Sequence, residues 1–346
     1  MTIAVIGAGA SGMMAALTAA EQPENKILLF ERQARVGRKL AVTGNGRCNL
    51  SNLHAAPAHY HGRDPDFCRY ALEQFPVSST LAYFAALGLE TVTEPDGKIY
   101  PRSNMANSVL DVLRYALEHP RLHLLSGDGV ADLRKKGDTF AVTFLSGERY
   151  TNIDKVILAC GGAAGKKLGG SKSGYHLLSQ LGHSCTELLP SLTQIKTDPT
   201  YVKALKGVRA DAHVRLRKDG QTVQDSFGEV QFTDYGLSGI CIMQLSGHLA
   251  PGRGPKRPAV ELDLFPMLDE TALTALFAAR VPLLPGKAPA DFWTGLLNPK
   301  LGRALWAAAK LPEKPVDTLP DAAWQVLANA AKHWLFEGLT PCGWKQ

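Results

Sequence analysis

A short apolar run rich in β-branched residues, Ile3-Ala4-Val5-Ile6, stops abruptly at Gly7-Ala8-Gly9-Ala10-Ser11-Gly12. Such a run fits a strand buried on both faces of a parallel sheet. The glycines then have separate tasks in a strand-to-helix turn. Gly7 makes the turn, Gly9 lets the backbone approach a pyrophosphate, and Gly12 lets the next helix pack close to the strand. That helix is expected over residues 10–20, where good or neutral formers run on and no proline appears before Pro23. With Ala10 and Ser11 at its head, its free N–H groups and dipole would face phosphates. A second strand, Lys26-Ile27-Leu28-Leu29-Phe30, ends in Glu31, nineteen residues after Gly12, where this fold sets an acid against ribose hydroxyls. Strand, helix and acid together distinguish the motif from a chance glycine turn and describe an adenine dinucleotide site. Residues 1–20 are uncharged, but they lack a basic leading region and are interrupted by glycine, which argues against a secretory signal.

At 346 residues the chain exceeds the size at which one core keeps growing, so two or more domains are expected. Apolar content of 45% and charged content of 20% are those of a soluble globular protein, and no apolar run approaches the length of a membrane helix. A cytoplasmic location without membrane association is the expectation. The net charge of +6 is scattered, yet Arg32, Arg35, Arg38, Lys39 and Arg47 gather near the presumed phosphate site. An anionic cofactor explains them more economically than nucleic acid, which calls for a basic stripe with interleaved aromatics. Six cysteines (Cys48, Cys68, Cys160, Cys185, Cys241, Cys342) form no CxxC pair, so neither a zinc site nor a dithiol centre is read and reduced thiols are expected. His59-Tyr60-His61 has the spacing of an ordinary loop, and no metal site is assigned.

Further along, helices are expected over residues 66–88 and after Asn107-Ser108, followed by a strand at 122–125 and a hairpin over 140–153. The run Lys155-Val156-Ile157-Leu158-Ala159-Cys160-Gly161-Gly162 reads as a second buried strand whose terminal turn reaches the same crevice as the first. Beyond Pro190 the character changes. Residues 191–264 hold short alternating segments separated by Gly, Asp and Pro, which suggests an antiparallel sheet or small barrel. Residues 265–335 read as helical. The organisation expected is an α/β, Rossmann-like dinucleotide-binding domain over 1–190, an inserted domain over 191–335 made of a β-barrel-like subdomain followed by a helical one, and the start of a return to the first domain over 336–346.

The segment Gly37-Arg38-Lys39-Leu40-Ala41-Val42-Thr43-Gly44-Asn45-Gly46-Arg47-Cys48-Asn49-Leu50-Ser51-Asn52 resembles the G-R-K-x-x-x-(T/S)-G-x-G-R-C-N-x-(T/S)-N signature of the HI0933-like flavoproteins. That family is also called the aminoacetone-oxidase or BaiN-like group, and belongs to the two-dinucleotide-binding-domain flavoproteins. Ala159-Cys160-Gly161-Gly162, Gly174-Tyr175, Gly228-Glu229 and Phe232-Thr233-Asp234-Tyr235-Gly236-Leu237-Ser238-Gly239 are similar to further family pieces, with Asp234 standing where the family usually has histidine. The resemblance implies extended FAD, its adenosine along Gly7, Gly9, Ala10, Ser11, Gly12 and Glu31 with Arg32 beside it, and its ring near the 37–52 loop.

The residues of that loop agree with the implication. Gly44, Asn45 and Gly46 tolerate left-handed backbone and could turn N–H groups toward ring oxygens, flanked by Thr43 and Asn49. Arg38, Lys39 and Arg47 can offset pyrophosphate charge, with a surface ion pair as the alternative for Arg35 and Arg47. Val130 matches an adenine-edge position or is an ordinary strand residue. Cys160, Gly161 and Gly162 close the crevice, and Cys48 reads as a buried structural thiol.

No catalytic base is evident. The implied activity is hydride transfer between a small organic substrate and flavin, with NAD(P)H or oxygen as the reoxidising or donating partner. A nucleotide-binding remnant and a flavin-dependent nucleic-acid modifier are the competing readings. The family's pattern continues past residue 346 into a G-E-x-x-D segment, so truncation of the chain is expected. Substrate and oligomeric state are not legible.

Overall fold

The opening apolar run becomes the strand Thr2–Ile6, paired in parallel with Lys26–Glu31 on one side and Lys155–Leu158 on the other. Leu122–Ser126 joins beyond Lys26–Glu31, which completes a four-stranded parallel sheet. Strands covered on both faces need no polar alternation, which explains the unbroken run. One face, with Ile3, Val5, Ile27 and Leu29, packs on Met13 and Ala16 of the helix Ala10–Ala20 and on Val109 and Leu113 of the helix Ala106–Ala116. The other, with Ala4, Ile6, Leu28 and Phe30, packs on the antiparallel meander Val130–Lys136, Thr139–Phe144, Arg149–Ile153 and on Leu177. Phe30 meets Phe144 edge-on at 4.9 Å.

This computed structural model describes residues 1–60, 64–249 and 258–344, so His61 of the His59-Tyr60-His61 triplet lies outside the described residues. The chain divides into two compact units, Met1–Leu188 and Leu189–Gln346. The second is built on a seven-stranded antiparallel sheet in the order Trp334–Phe336, Pro258–Asp263, Arg209–Lys218, Gln221–Phe232, Gly236–Ser238, Ile195–Lys196, Thr340–Pro341. Two expectations change here. The helices Glu270–Arg280, Pro299–Ala308 and Ala322–Lys332 form no subdomain of their own, because Phe277, Phe292, Trp306 and Trp324 share one core with Val214, Val230 and Val260 of the sheet. Residues 336–341 do not begin a return to the first unit. Trp334 and Phe336 bury beside Phe232, 6.2 and 6.1 Å from its ring, and Thr340–Pro341 pairs with Ile195–Lys196. Among the described residues no helix is long and apolar enough to cross a membrane.

Candidate nucleotide site

At the end of the first strand Gly7 adopts φ +106° and donates its N–H to the Phe30 carbonyl at 2.7 Å. A Cβ there would lie 2.5 Å from the Ala159 oxygen, and one on Gly12 would lie 1.7 Å from the Gly7 oxygen. Strand, turn and helix can therefore close only with glycine at both places. Gly9 differs, because a Cβ on it would meet nothing within 4 Å. Its surface is open, and the helix Ala10–Ala20 that follows has no side-chain cap, so its first N–H groups are left for a ligand. Glu31 is held by two backbone donors, Ala8 N–H to Oε2 at 2.9 Å and Gln33 N–H to Oε1 at 2.8 Å. Each carboxylate oxygen keeps a lone pair for a hydroxyl.

These groups open on a cavity of about 1090 Å³ within the first unit. Gly7, Gly9, Ala10, Ser11, Glu31, Arg32, Arg38, Lys39, Thr43, Cys48, Asn49, Val130, Cys160 and Gly161 all line it. Phe75, Phe84, Val109 and Leu113 form an apolar part of its wall. Arg32, Arg35, Arg38 and Lys39 border it, and among the described residues none of the four is in an ion pair.

Six expected residues do not line the cavity. Gly12 is buried in the helix–turn contact instead. Gly44, Asn45 and Gly46 do take left-handed φ of 56°, 57° and 83°, but they serve a local turn in which Cys48 N–H reaches the Thr43 carbonyl at 2.9 Å. Arg47 is committed elsewhere: it bonds Glu94 at 2.6 Å and Asn104, and lies 3.8 Å over the Tyr100 ring. The hydrogen bond to Glu94 pushes its pKa up. Gly162 stands back toward the Tyr175 hydroxyl.

Residues that the sequence reading passed over take part: Asp128, Gly129, Leu145, Gly169, Ser171, Ser173 and His176. The glycine-rich stretch 161–174 was the signal that could have found several of them. Burial pushes the Cys48 thiol up, and burial with Glu31 nearby pushes Cys160 up to about 11. No group of three or more His, Cys, Asp or Glu able to hold a metal occurs among the described residues.

An acid-tipped second strand beside a strand–glycine turn–helix, opening on a large cavity, defines a Rossmann-like domain. The chain matches the model of the HI0933-like protein Rossmann domain over residues 1–301, and it belongs to that family. It is 36% identical over 336 residues to the 3-dehydro-bile acid delta(4,6)-reductase of Clostridium scindens, spanning 96% of this chain and 81% of that protein. It is 26% identical over 267 residues to the ribosomal RNA dihydrouridine synthase of Escherichia coli, spanning 77% of this chain and 64% of that protein. Among solved structures, the bacillithiol disulfide reductase of Staphylococcus aureus matches 46% of this chain and 38% of its own at 15% identity and a TM-score of 0.27.

Proposed function

We propose that the chain is an FAD-dependent reductase that saturates a carbon–carbon double bond conjugated to a carbonyl in a small organic substrate, with NAD(P)H as the electron donor. The observation that carries the cofactor is the open glycine. Gly9 leaves a backbone surface free beside an uncapped helix terminus, with Lys39 and Arg38 unneutralised on the same cavity wall. That set of donors fits a pyrophosphate. The cavity volume of about 1090 Å³ lies just above the roughly 300–1,000 Å³ usual for ligand pockets, which suits a ligand as long as a dinucleotide.

In this reading Glu31 accepts the ribose hydroxyls, the first-turn N–H groups of Ala10–Ala20 and the cations hold the pyrophosphate, and the strand beginning at Val130 takes the adenine edge. Phe75, Phe84 and Val109 keep water from the apolar part of the cavity. FAD bound there would supply the hydride chemistry, which none of the lining side chains provides. The substrate class draws on the relatives. One name specifies a reduction at the 4,6 positions of a 3-dehydro-bile acid, and the other the making of dihydrouridine. Both add hydrogen across an electron-poor carbon–carbon double bond. A small molecule is favoured over RNA because the bile-acid enzyme is matched over more of both chains.

The test is reconstitution of the purified chain with FAD under anaerobic conditions. The flavin's visible band should bleach with NADPH or NADH and return on adding a conjugated enone, with the saturated ketone as product. Failure to take up flavin, or a bleached band that no enone restores, would overturn the proposal.

A further inference from the structure

Three cations at the mouth of the cavity are held by neutral acceptors. Lys39 donates from Nζ to the Ala164 carbonyl at 2.8 Å, Arg32 from Nη2 to the Gly169 carbonyl at 2.8 Å, and Arg38 from Nη2 to the Lys167 carbonyl at 3.5 Å. All three carbonyls belong to one short stretch of chain, more than a hundred residues away in sequence. A carboxylate would position these cations but cancel much of their field; a backbone carbonyl positions them and leaves the charge whole.

The shape of that stretch depends on glycine at the points of contact. Gly165 and Gly169 have φ of +69° and +94°, and the Gly170 N–H closes the loop on the Gly165 carbonyl at 3.1 Å. A Cβ on Gly170 would lie 2.0 Å from the Ala164 oxygen, the atom that holds Lys39, and one on Gly165 would lie 3.4 Å from Lys39 Cε. Holding the fold together is not the loop's task, since none of residues 161–172 belongs to either apolar core of the unit. Gly169 and Ser171 nevertheless line the cavity.

We propose that residues 161–172 form a positioning strap whose carbonyls aim Lys39, Arg32 and Arg38 at the phosphates of a bound dinucleotide. The strap sets the affinity for the ligand's negative charge and leaves the affinity for its nucleoside part untouched. This rests on the dinucleotide reading above, and the measurement separates the two.

The full chain, stripped of flavin, is titrated with ADP and with adenosine in an isothermal calorimeter. The parent should bind ADP tighter than adenosine, and less so as salt is raised. Gly170→Ala should weaken ADP about tenfold, the effect of losing one charge-assisted bond, and leave adenosine unchanged. Lys39→Gln should do the same without touching the loop backbone, which keeps the test open should Gly170→Ala fold poorly. The double variant should bind ADP no worse than either single variant, because strap and cation act as one. Equal losses for ADP and adenosine, or additive losses in the double variant, overturn the strap. A parent chain that binds neither ligand overturns the dinucleotide reading as well.

Discussion

The cavity of the first unit and the sheet of the second treat charge in opposite ways. In the second, Glu261 and Asp263 are 5% and 2% exposed and lie among cations: Arg215 is 3.0 Å from Glu261, and Lys332 is 2.7 Å from Asp263. Arg215 in turn donates to Nδ1 of His213, whose Nε2 faces Asp225 at 3.1 Å. In the first, four cations border a cavity with no carboxylate partner among the described residues. The interiors differ in the same sense. The second unit is closed by aromatic rings, Phe292 stacked on Trp324 at 5.4 Å and edge-on to Trp293 at 5.2 Å. The first leaves an open space framed by glycine. Satisfied charge and dense packing mark a region whose work is to hold its shape. Unneutralised cations around a concavity mark one built for an anionic ligand.

The comparison can be broken most forcefully at Gly12. Gly12→Ala sets a methyl 1.7 Å from the Gly7 oxygen, so the helix must leave the turn and ADP binding should vanish in a calorimetric titration. Retained binding would mean that the turn is not the site. In the second unit Phe292→Ala should cost about 3–5 kcal/mol, because ring contacts on several sides cannot collapse into the space left. Urea denaturation measures that loss. Lys332→Met should destabilise by a similar ~3–5 kcal/mol by leaving Asp263 buried and partly unpaired, and adding Asp263→Asn should recover part of it.

A subtler effect is set by pH. Burial, with Glu31 nearby, raises the Cys160 thiol from its ordinary 9.0 to about 11. The unfolded chain loses that proton first, so the contribution of Cys160 to stability is complete below pH 9 and is lost as the pH rises through about 11. Iodoacetamide at neutral pH should label the exposed Cys185 and spare Cys160, and Cys160→Ser should flatten the alkaline fall in stability. The smallest effect is expected at Arg47. Held by Glu94 and Tyr100 rather than facing the cavity, Arg47→Gln should leave ADP affinity near that of the parent, whereas Lys39→Gln should not.

How much of this was legible in the sequence depends on how far apart the partners lie. The turn from Ile6 to Gly12 and the strand ending in Glu31 were readable because steric limits on glycine and the spacing of one strand–helix–strand unit act within about thirty residues. Arg47 read equally as a phosphate ligand or as half of a surface ion pair, because its neighbours are glycine and asparagine while the groups that claim it, Glu94, Tyr100 and Asn104, lie some fifty residues away. The helices between 270 and 332 read as a separate subdomain because amphipathic periodicity shows that a face is apolar but not which surface it meets. Trp334, read among the helical residues, and Phe336, read as the start of the way out of the second domain, are edge-strand residues sealing its core.

By itself the sequence determined the local geometry that only certain residues permit: glycine at positions 7 and 12, an open backbone at Gly9, and an acid at the tip of the second strand. The tertiary structure decided which of five neighbouring cations keep their charge free. Arg47 loses its freedom to a carboxylate, while Lys39 and Arg32 are held by carbonyls from a distant glycine-rich loop and Arg38 chiefly by the nearby Gln33 side chain. Local conformation follows from sterics between near neighbours, whereas the fate of a charge depends on which groups folding brings to it.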